Sequence, residues 1–262
     1  MKKLLVLAGI VFLVSTLAFV FWLPSETQIK GCLKTSMYGV DLCPVSKNYV
    51  SLSNISKNLQ NAILLTEDSG FYQHNGFDQE GISHCIEKIK EKRKLVCGGS
   101  TITQQLAKNM FLSKDKSFFR KGAEAIITLR IEKSLTKREI LERYLNVIQF
   151  GKNIYGIKQA SQFYFRKSPS QLSVTESAFF AMILPNPEKY SQSYYRKDLT
   201  KFARKRLSKI INDLFKYKKI NENQYLAAED SLDFFLRSGQ AVPQPKEQEE
   251  ILTEEDLSEM EE

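Results

Sequence analysis

The sequence predicts a mainly α-helical body preceded by a single membrane-crossing helix. Three observations carry that expectation. Apolar residues recur at three- and four-residue spacing along most of the chain. No stretch shows sustained strand alternation, and there is no internal repeat. The third is an uncharged apolar run of 20 residues, Leu4 to Leu23. As a helix it rises about 30 Å, enough to cross the hydrocarbon core of a bilayer.

The first element follows from that run. Lys2 and Lys3 precede it, and it ends Phe19-Val20-Phe21-Trp22-Leu23-Pro24 with no small-x-small cleavage site. It reads as an uncleaved anchor (residues 4–23) with residues 1–3 in the cytoplasm and the body outside the inner membrane. Trp22 and Phe21 then fall at the outer interface. The 262-residue chain carries net charge +8, but residues 246–262 alone carry −8, so the preceding part carries +16. A basic body points to nucleic acid, a membrane surface or a phosphorylated substrate. Export makes nucleic acid a poor fit and leaves lipid phosphates. In an oxidising compartment Cys32–Cys43 and Cys85–Cys97 suit disulfides, although four cysteines allow three pairings and the sequence does not choose. No C-x-x-C spacing suggests zinc.

Residues 24–48, with Gly31, Gly39 and Pro44, read as a connecting segment. The body spans 49–238. Its first helix covers Ser53 to Thr66, capped by Ser53 or Asn54, with Ile55, Leu59, Ala62 and Ile63 as its apolar stripe. A second covers Gly81 to Leu95 and shows solvent a basic face that includes Lys88, Lys90 and Lys92. The paired glycines Gly98-Gly99 lead through Ser100 and Thr101 into a third. Helical patterns then run from Gly122, over Lys137 to Ile148 with Thr136 as cap, Ile157 to Phe165, Ser173 to Leu184, Leu199 to Tyr217 and Asn221 to Ser231. Gly151 and Gly156 mark a turn, and Pro185-Asn186-Pro187 a stop. From Gly239 to Glu262, proline, glutamine and glutamate predict a disordered acidic tail.

Chemistry concentrates in four places. Glu67-Asp68 ends the first helix and is followed by Phe71, His74 and Gly76. This reads either as a capped helix end or as a cleft carboxylate tuned for proton transfer. The stretch from Gly98 to Asn109 offers a helix N-terminus suited to phosphate, but lacks the spacing of a nucleotide loop. Lys114, Lys116, Arg120 and Lys121 cluster before Glu124. The fourth place is Ile140 to Asn146.

Taken in order, these segments resemble the glycosyltransferase domain of peptidoglycan polymerases (family 51), and most closely its single-domain members. Glu67, Asp68, Phe71, His74 and Gly76 match E-D-x-x-F-x-x-H-x-G. Gly98 to Gln105 with Lys108 and Asn109 matches the Gly-Gly-Ser-Thr-Ile-Thr-Gln-Gln motif. Arg120, Lys121 and Glu124 match R-K-x-x-E. Ile140 to Asn146, followed by Phe150-Gly151, matches the fourth, and Ala181 to Pro187 a later one. The resemblance covers roughly Tyr49 to Tyr217. There is no K-T-G triad, so the transpeptidase activity of two-domain relatives is expected to be absent.

The resemblance implies a lysozyme-like fold of two lobes around a cleft. It implies polymerisation of lipid II into β-1,4-linked glycan strands on the periplasmic side of the bacterial inner membrane, with release of undecaprenyl diphosphate. The anomeric carbon inverts. Glu67 is then the general base and Glu124 the second essential carboxylate, on the donor side. Asp68, Ser100, Gln104, Lys108, Lys116, Arg120 and Lys121 are the expected substrate contacts, and His74 a loop-holding residue. No dedicated metal ligands are visible, so a divalent cation such as Mg2+ would come with the substrate diphosphate. The expected partners are lipid II, the growing lipid-linked strand, the membrane and other cell-wall synthesis proteins. A lytic enzyme of lysozyme type and a non-catalytic cell-wall scaffold are the alternatives. The Gly-Gly-Ser-Thr-Ile-Thr-Gln-Gln stretch and the Arg120-Lys121 pair argue against the first, since a hydrolase has no diphosphate to hold, and intact Glu67 and Glu124 argue against the second.

Overall fold

The computed structural model describes residues 7, 10–11, 13–14, 19, 21–92, 99–115 and 117–236. Most of the expected anchor, Lys116, Cys97 and the acidic tail lie outside the described residues. Among the described residues no helix is long and apolar enough to cross a membrane.

The body is mainly helical. It opens with α1 (Glu26–Lys30), the short hairpin β1 (Leu33–Lys34) and β2 (Asp41–Leu42), and a 3-10 turn at Leu52–Asn54. The next helices are α2 (Lys57–Glu67), α3 (Gln79–Lys92), α4 (Ile102–Phe111), α5 (Phe118–Ser134) and α6 (Lys137–Val147). A second small hairpin pairs β3 (Gln149–Gly151) with β4 (Ile154–Tyr155). The chain closes with α7 (Ile157–Phe165), α8 (Val174–Ile183), the short α9 (Pro187–Tyr190) and α10 (Gln192–Arg196), α11 (Lys201–Lys216) and α12 (Glu222–Ser231).

The caps explain most boundaries. Thr101, Thr136, Ser173 and Asn221 each close a capping box, so each helix begins where a hydroxyl or amide satisfies a free N–H. The first body helix starts later than its stripe suggested. Ser56, not Ser53 or Asn54, accepts from Asn58 N, because residues 52–54 turn as a 3-10 helix first. Of the two hydroxyl residues after Gly98-Gly99, Thr101 caps α4. Ser117 caps α5, which therefore starts before Gly122.

Helix α8 is buried along its whole length and packs on α2, α11 and α12. A second group brings α4 against α5 and α6. The acidic end of α2 faces this second group.

The segment 24–48 is folded and docked. Ile29 and Leu42 are buried, Cys32–Cys43 is closed, and Arg143 donates to the carbonyls of Lys30 and Gly31. Closing a loop of sequence separation 11 stabilises by about 3 kcal/mol through the unfolded chain. Ser36 N and Met37 N donate to the last turn of α4. These contacts join 24–48 to the body, which periodicity alone did not show. Cys85 is disulfide-bonded as well.

Candidate active site

Glu67 is the last residue of α2, and Asp68 is its C-cap. The two carboxylates turn to different work. Asp68 is buried. Its Oδ2 accepts from Ile102 N, the first amide of α4, at 2.9 Å, and its Oδ1 meets His74 Nε2 at 2.8 Å. His74 Nδ1 accepts from Gly76 N at 3.1 Å, which places the ring proton on Nε2. Asp68 therefore ties the end of α2 to the start of α4, where a helix N-terminus favours a carboxylate. His74 holds the loop, as expected.

Gly76 has φ +91°, and a Cβ there would sit 2.7 Å from the Thr128 methyl of α5. Only glycine fits both constraints. Its carbonyl accepts from Thr101 Oγ1 at 2.7 Å. Thr103 and Lys137 both bond Glu132, and Lys137 Nζ also lies over the Phe71 ring. The acidic loop is thus fastened to α4, α5 and α6 together.

Glu67 itself is half-buried. Gln105 Nε2 donates to its Oε2 at 2.8 Å, and Tyr144 OH donates to Gln105 Oε1 at 3.0 Å. The tyrosine is fully buried and fixes which end of the amide faces the acid. Burial pushes the Glu67 carboxyl above its ordinary value; the Gln105 bond and the charges of Arg206 and Lys108 pull it back in part.

Glu124, in the middle of α5, is 2% exposed. Arg120 Nη1 reaches its Oε2 at 3.0 Å and Lys121 Nζ its Oε1 at 2.5 Å. Lys121 also donates to Ser100 Oγ at 3.4 Å. Lys108, on α4, has its ammonium pushed below the ordinary lysine range by burial, with Glu124 and Glu67 both opposing the shift. It therefore lies within electrostatic reach of both carboxylates. Arg120 Nε is a buried donor without a partner among the described residues.

A transglycosylase family model matches residues 38–214. The chain belongs to the transglycosylase family. A biosynthetic peptidoglycan transglycosylase of Acinetobacter baumannii (strain SDF) is 37% identical over 209 residues, covering 79% of this chain and 92% of the relative. The protein of the same description from Thiobacillus denitrificans is 51% identical over 142 residues, 54% of this chain and 61% of the relative. That of Aromatoleum aromaticum is 47% identical over 146 residues, 56% and 64% respectively.

The transglycosylase motif residues divide between a cluster around the two glutamates and supports of the fold. Glu67, Lys108, Arg120, Lys121, Glu124 and Ser100 share one neighbourhood. Gln104, read from sequence as a substrate contact, is buried and its Oε1 accepts from Thr101 N, so its side chain serves the cap of α4. Asp68 is similarly occupied. Lys116 lies outside the described residues. In the fourth motif, Glu142 accepts from Tyr49 OH and Leu52 N, and Asn146 pairs with the backbone of Val50. Sequence reading missed Gln105, Tyr144 and Arg206. Gln105 stood beside Gln104 in the motif, and only its position three residues past the N1 residue of α4 turns it toward Glu67. Arg206 lay in a basic amphipathic helix with nothing local to single it out.

Proposed function

We propose that the chain polymerises lipid II into peptidoglycan glycan strands with inversion at the anomeric carbon, Glu67 acting as general base. Its family membership carries the peptidoglycan glycosyltransferase activity. The relatives' names, biosynthetic peptidoglycan transglycosylases, support peptidoglycan assembly as the reaction; lipid II and the growing strand are the substrates that the family resemblance implies. The observation that carries the mechanism is the contrast around Lys108. On one side is a half-buried carboxylate with a neutral amide partner and a raised pKa. On the other is a buried carboxylate holding two cations.

In the proposed step the acceptor 4-hydroxyl loses its proton to Glu67 as its oxygen attacks the donor anomeric carbon. The bond to the diphosphate breaks and the electron pair leaves with it. Lys108, Arg120 and Lys121 offset the charge that develops on the leaving group. Glu124 holds Arg120 and Lys121 in place, and the unpartnered Arg120 Nε gives a phosphate oxygen a ready donor. Among the described residues no group of three or more His, Cys, Asp or Glu side chains forms a metal site, and no step is routed through a metal. The two helix groups, α2/α8/α11/α12 and α4/α5/α6, support a two-lobed arrangement of lysozyme type.

An inner-membrane anchor with the body on the periplasmic side completes the proposal. Phe118 is 99% exposed, and Phe119 and Leu129 on the same helix are also exposed. Phe119 packs on Phe19, and Arg130 donates to the carbonyl of Pro24, so the N-terminal run meets the body beside this apolar patch. Exposed large apolar side chains of this kind suit a bilayer surface. Partition into the membrane pellet after alkaline carbonate extraction tests the anchor; release into the supernatant would contradict it. For the chemistry, purified protein in detergent is given lipid II. Wild type is expected to form glycan polymer, and Glu67→Gln almost none. Normal polymerisation by that variant removes the assignment of the base.

A further inference from the structure

A cavity of about 770 Å3 lies apart from Glu67 and Glu124, and no residue placed in the catalytic site lines it. It is bounded by the end of α7, the start of α8, one face of α12 and the turn at residues 234–236. The α12 wall consists of Gln224, Ala227, Ala228 and Ser231, whose spacing puts them on one face. Two of the four are alanines, which leaves room beside an aromatic floor. In that floor Tyr164 and Tyr194 meet at 4.8 Å between ring centroids, and Phe165 and Phe235 at 5.8 Å.

The charge at this cavity is one-sided. Lys167 is paired with Glu176 at 2.8 Å. Arg166 and Lys197 have no carboxylate partner among the described residues, and Lys197 Nζ lies 3.9 Å from the centre of the Tyr194 ring. Burial pushes the Lys197 ammonium below the ordinary lysine range. A nearby anion would relieve both cations. The cavity thus combines an apolar aromatic wall with unbalanced positive charge at its edge.

We propose that this cavity is the docking site of the chain's own acidic C-terminal segment, Glu249 to Leu257. The segment reads Glu-Glu-Ile-Leu-Thr-Glu-Glu-Asp-Leu. Ile251 and Leu252 supply apolar side chains for the aromatic floor, and Glu254, Glu255 and Asp256 supply charge for Arg166 and Lys197. The chain leaves the described fold at Leu236, itself a wall of the cavity. Residues 237–248 bridge the gap, and a coil of that length spans roughly 20 Å. Such a tether gives an effective concentration on the order of 1 mM, so an intrinsic Kd of about 100 μM leaves roughly nine-tenths of the segment docked. The inference stands whether or not the catalytic assignment does.

The test uses full-length protein in detergent with a benzoylphenylalanine photoprobe in place of Leu252. Irradiation is expected to give an intramolecular cross-link onto residues 164–167 or 224–236. Its yield should fall at least fivefold in Arg166→Glu/Lys197→Glu and in Glu254→Lys/Glu255→Lys, and recover when all four changes are combined. The second pair lies outside the described fold, so its effect does not depend on the body tolerating a substitution. Cross-links onto Lys108, Arg120 or Lys121 would instead seat the segment in the catalytic cleft and overturn the proposal. Cross-links only between two chains, or a yield no higher than from a probe at Gln248 in the charge-reversed variants, would overturn it as well.

Discussion

Glu67 and Glu124 are the same side chain in opposed surroundings. Glu67 ends a helix, is half-buried and has one neutral donor, Gln105. Glu124 sits mid-helix, is almost wholly buried and holds two cations. A base must be able to take a proton from substrate and give it up, which a poorly compensated carboxylate with a raised pKa does well. A carboxylate clamped by arginine and lysine is a poor proton acceptor and a good support for those cations. Burial alone would have picked Glu124 as the base; the identity of the neighbours favours the proposed assignment to Glu67.

The largest expected effect tests the base. Glu67→Gln should lower turnover by about 10^2–10^4-fold. Its thermal stability at neutral pH should equal or exceed wild type. The sign follows from linkage. A carboxyl whose folded pKa lies above its unfolded value costs stability as pH rises from the unfolded toward the folded pKa, and the cost persists above it. The amide removes that cost, so the difference in melting temperature should shrink below the unfolded carboxyl pKa. A variant that is both inactive and clearly less stable would mean that Glu67 is structural.

Next in size is Glu124→Gln, which weakens the clamp but keeps its volume. Turnover should fall by about 10–10^2-fold, with loss of about 1–3 kcal/mol in stability from the charged hydrogen bonds. Unlike Glu67→Gln, it should leave the acid limb of the pH–rate profile in place. If the two variants gave equal losses and the same pH profile, the division of labour between the acids would fail. Lys108→Met should be smaller in stability than in function. Removing a cation that burial disfavours should cost the fold little, while use of the lipid II donor drops about tenfold.

Much of this fold was legible because its signals are local. Apolar period and capping residues placed α6, α7, α8 and α12 within a residue or two, and Thr136, Ser173 and Asn221 cap α6, α8 and α12. The hairpins β1–β2 and β3–β4 were missed because two- and three-residue strands cannot show alternation. The docking of 24–48 was missed because it depends on Arg143 and on the last turn of α4, far along the chain. At the site, motif order gave Glu67, Glu124 and their cations. It did not separate Gln104 from Gln105, since helical phase is fixed only once Thr101 is known to be the cap. It did not reveal Arg206, whose influence on Glu67 exists only across the packed α2 and α11.

Gln105 and Tyr144 allow the subtlest test of the comparison, because neither carries charge. Gln105→Leu removes the donor that favours ionised Glu67, so the carboxyl pKa should rise further. The acid limb of the pH–rate profile should then move to higher pH. Activity at about pH 6 should fall severalfold more than at about pH 8. Tyr144→Phe keeps the ring in the core but frees the Gln105 amide to turn its oxygen toward the acid. It should shift the limb in the same direction by less, with about a twofold loss near neutrality. A purely structural role would lower activity equally at every pH, because fewer molecules would be folded while each kept its normal base. A limb that moves while the melting temperature stays put would place both residues in the tuning of Glu67, and leave Glu124, with its own cations, unaffected.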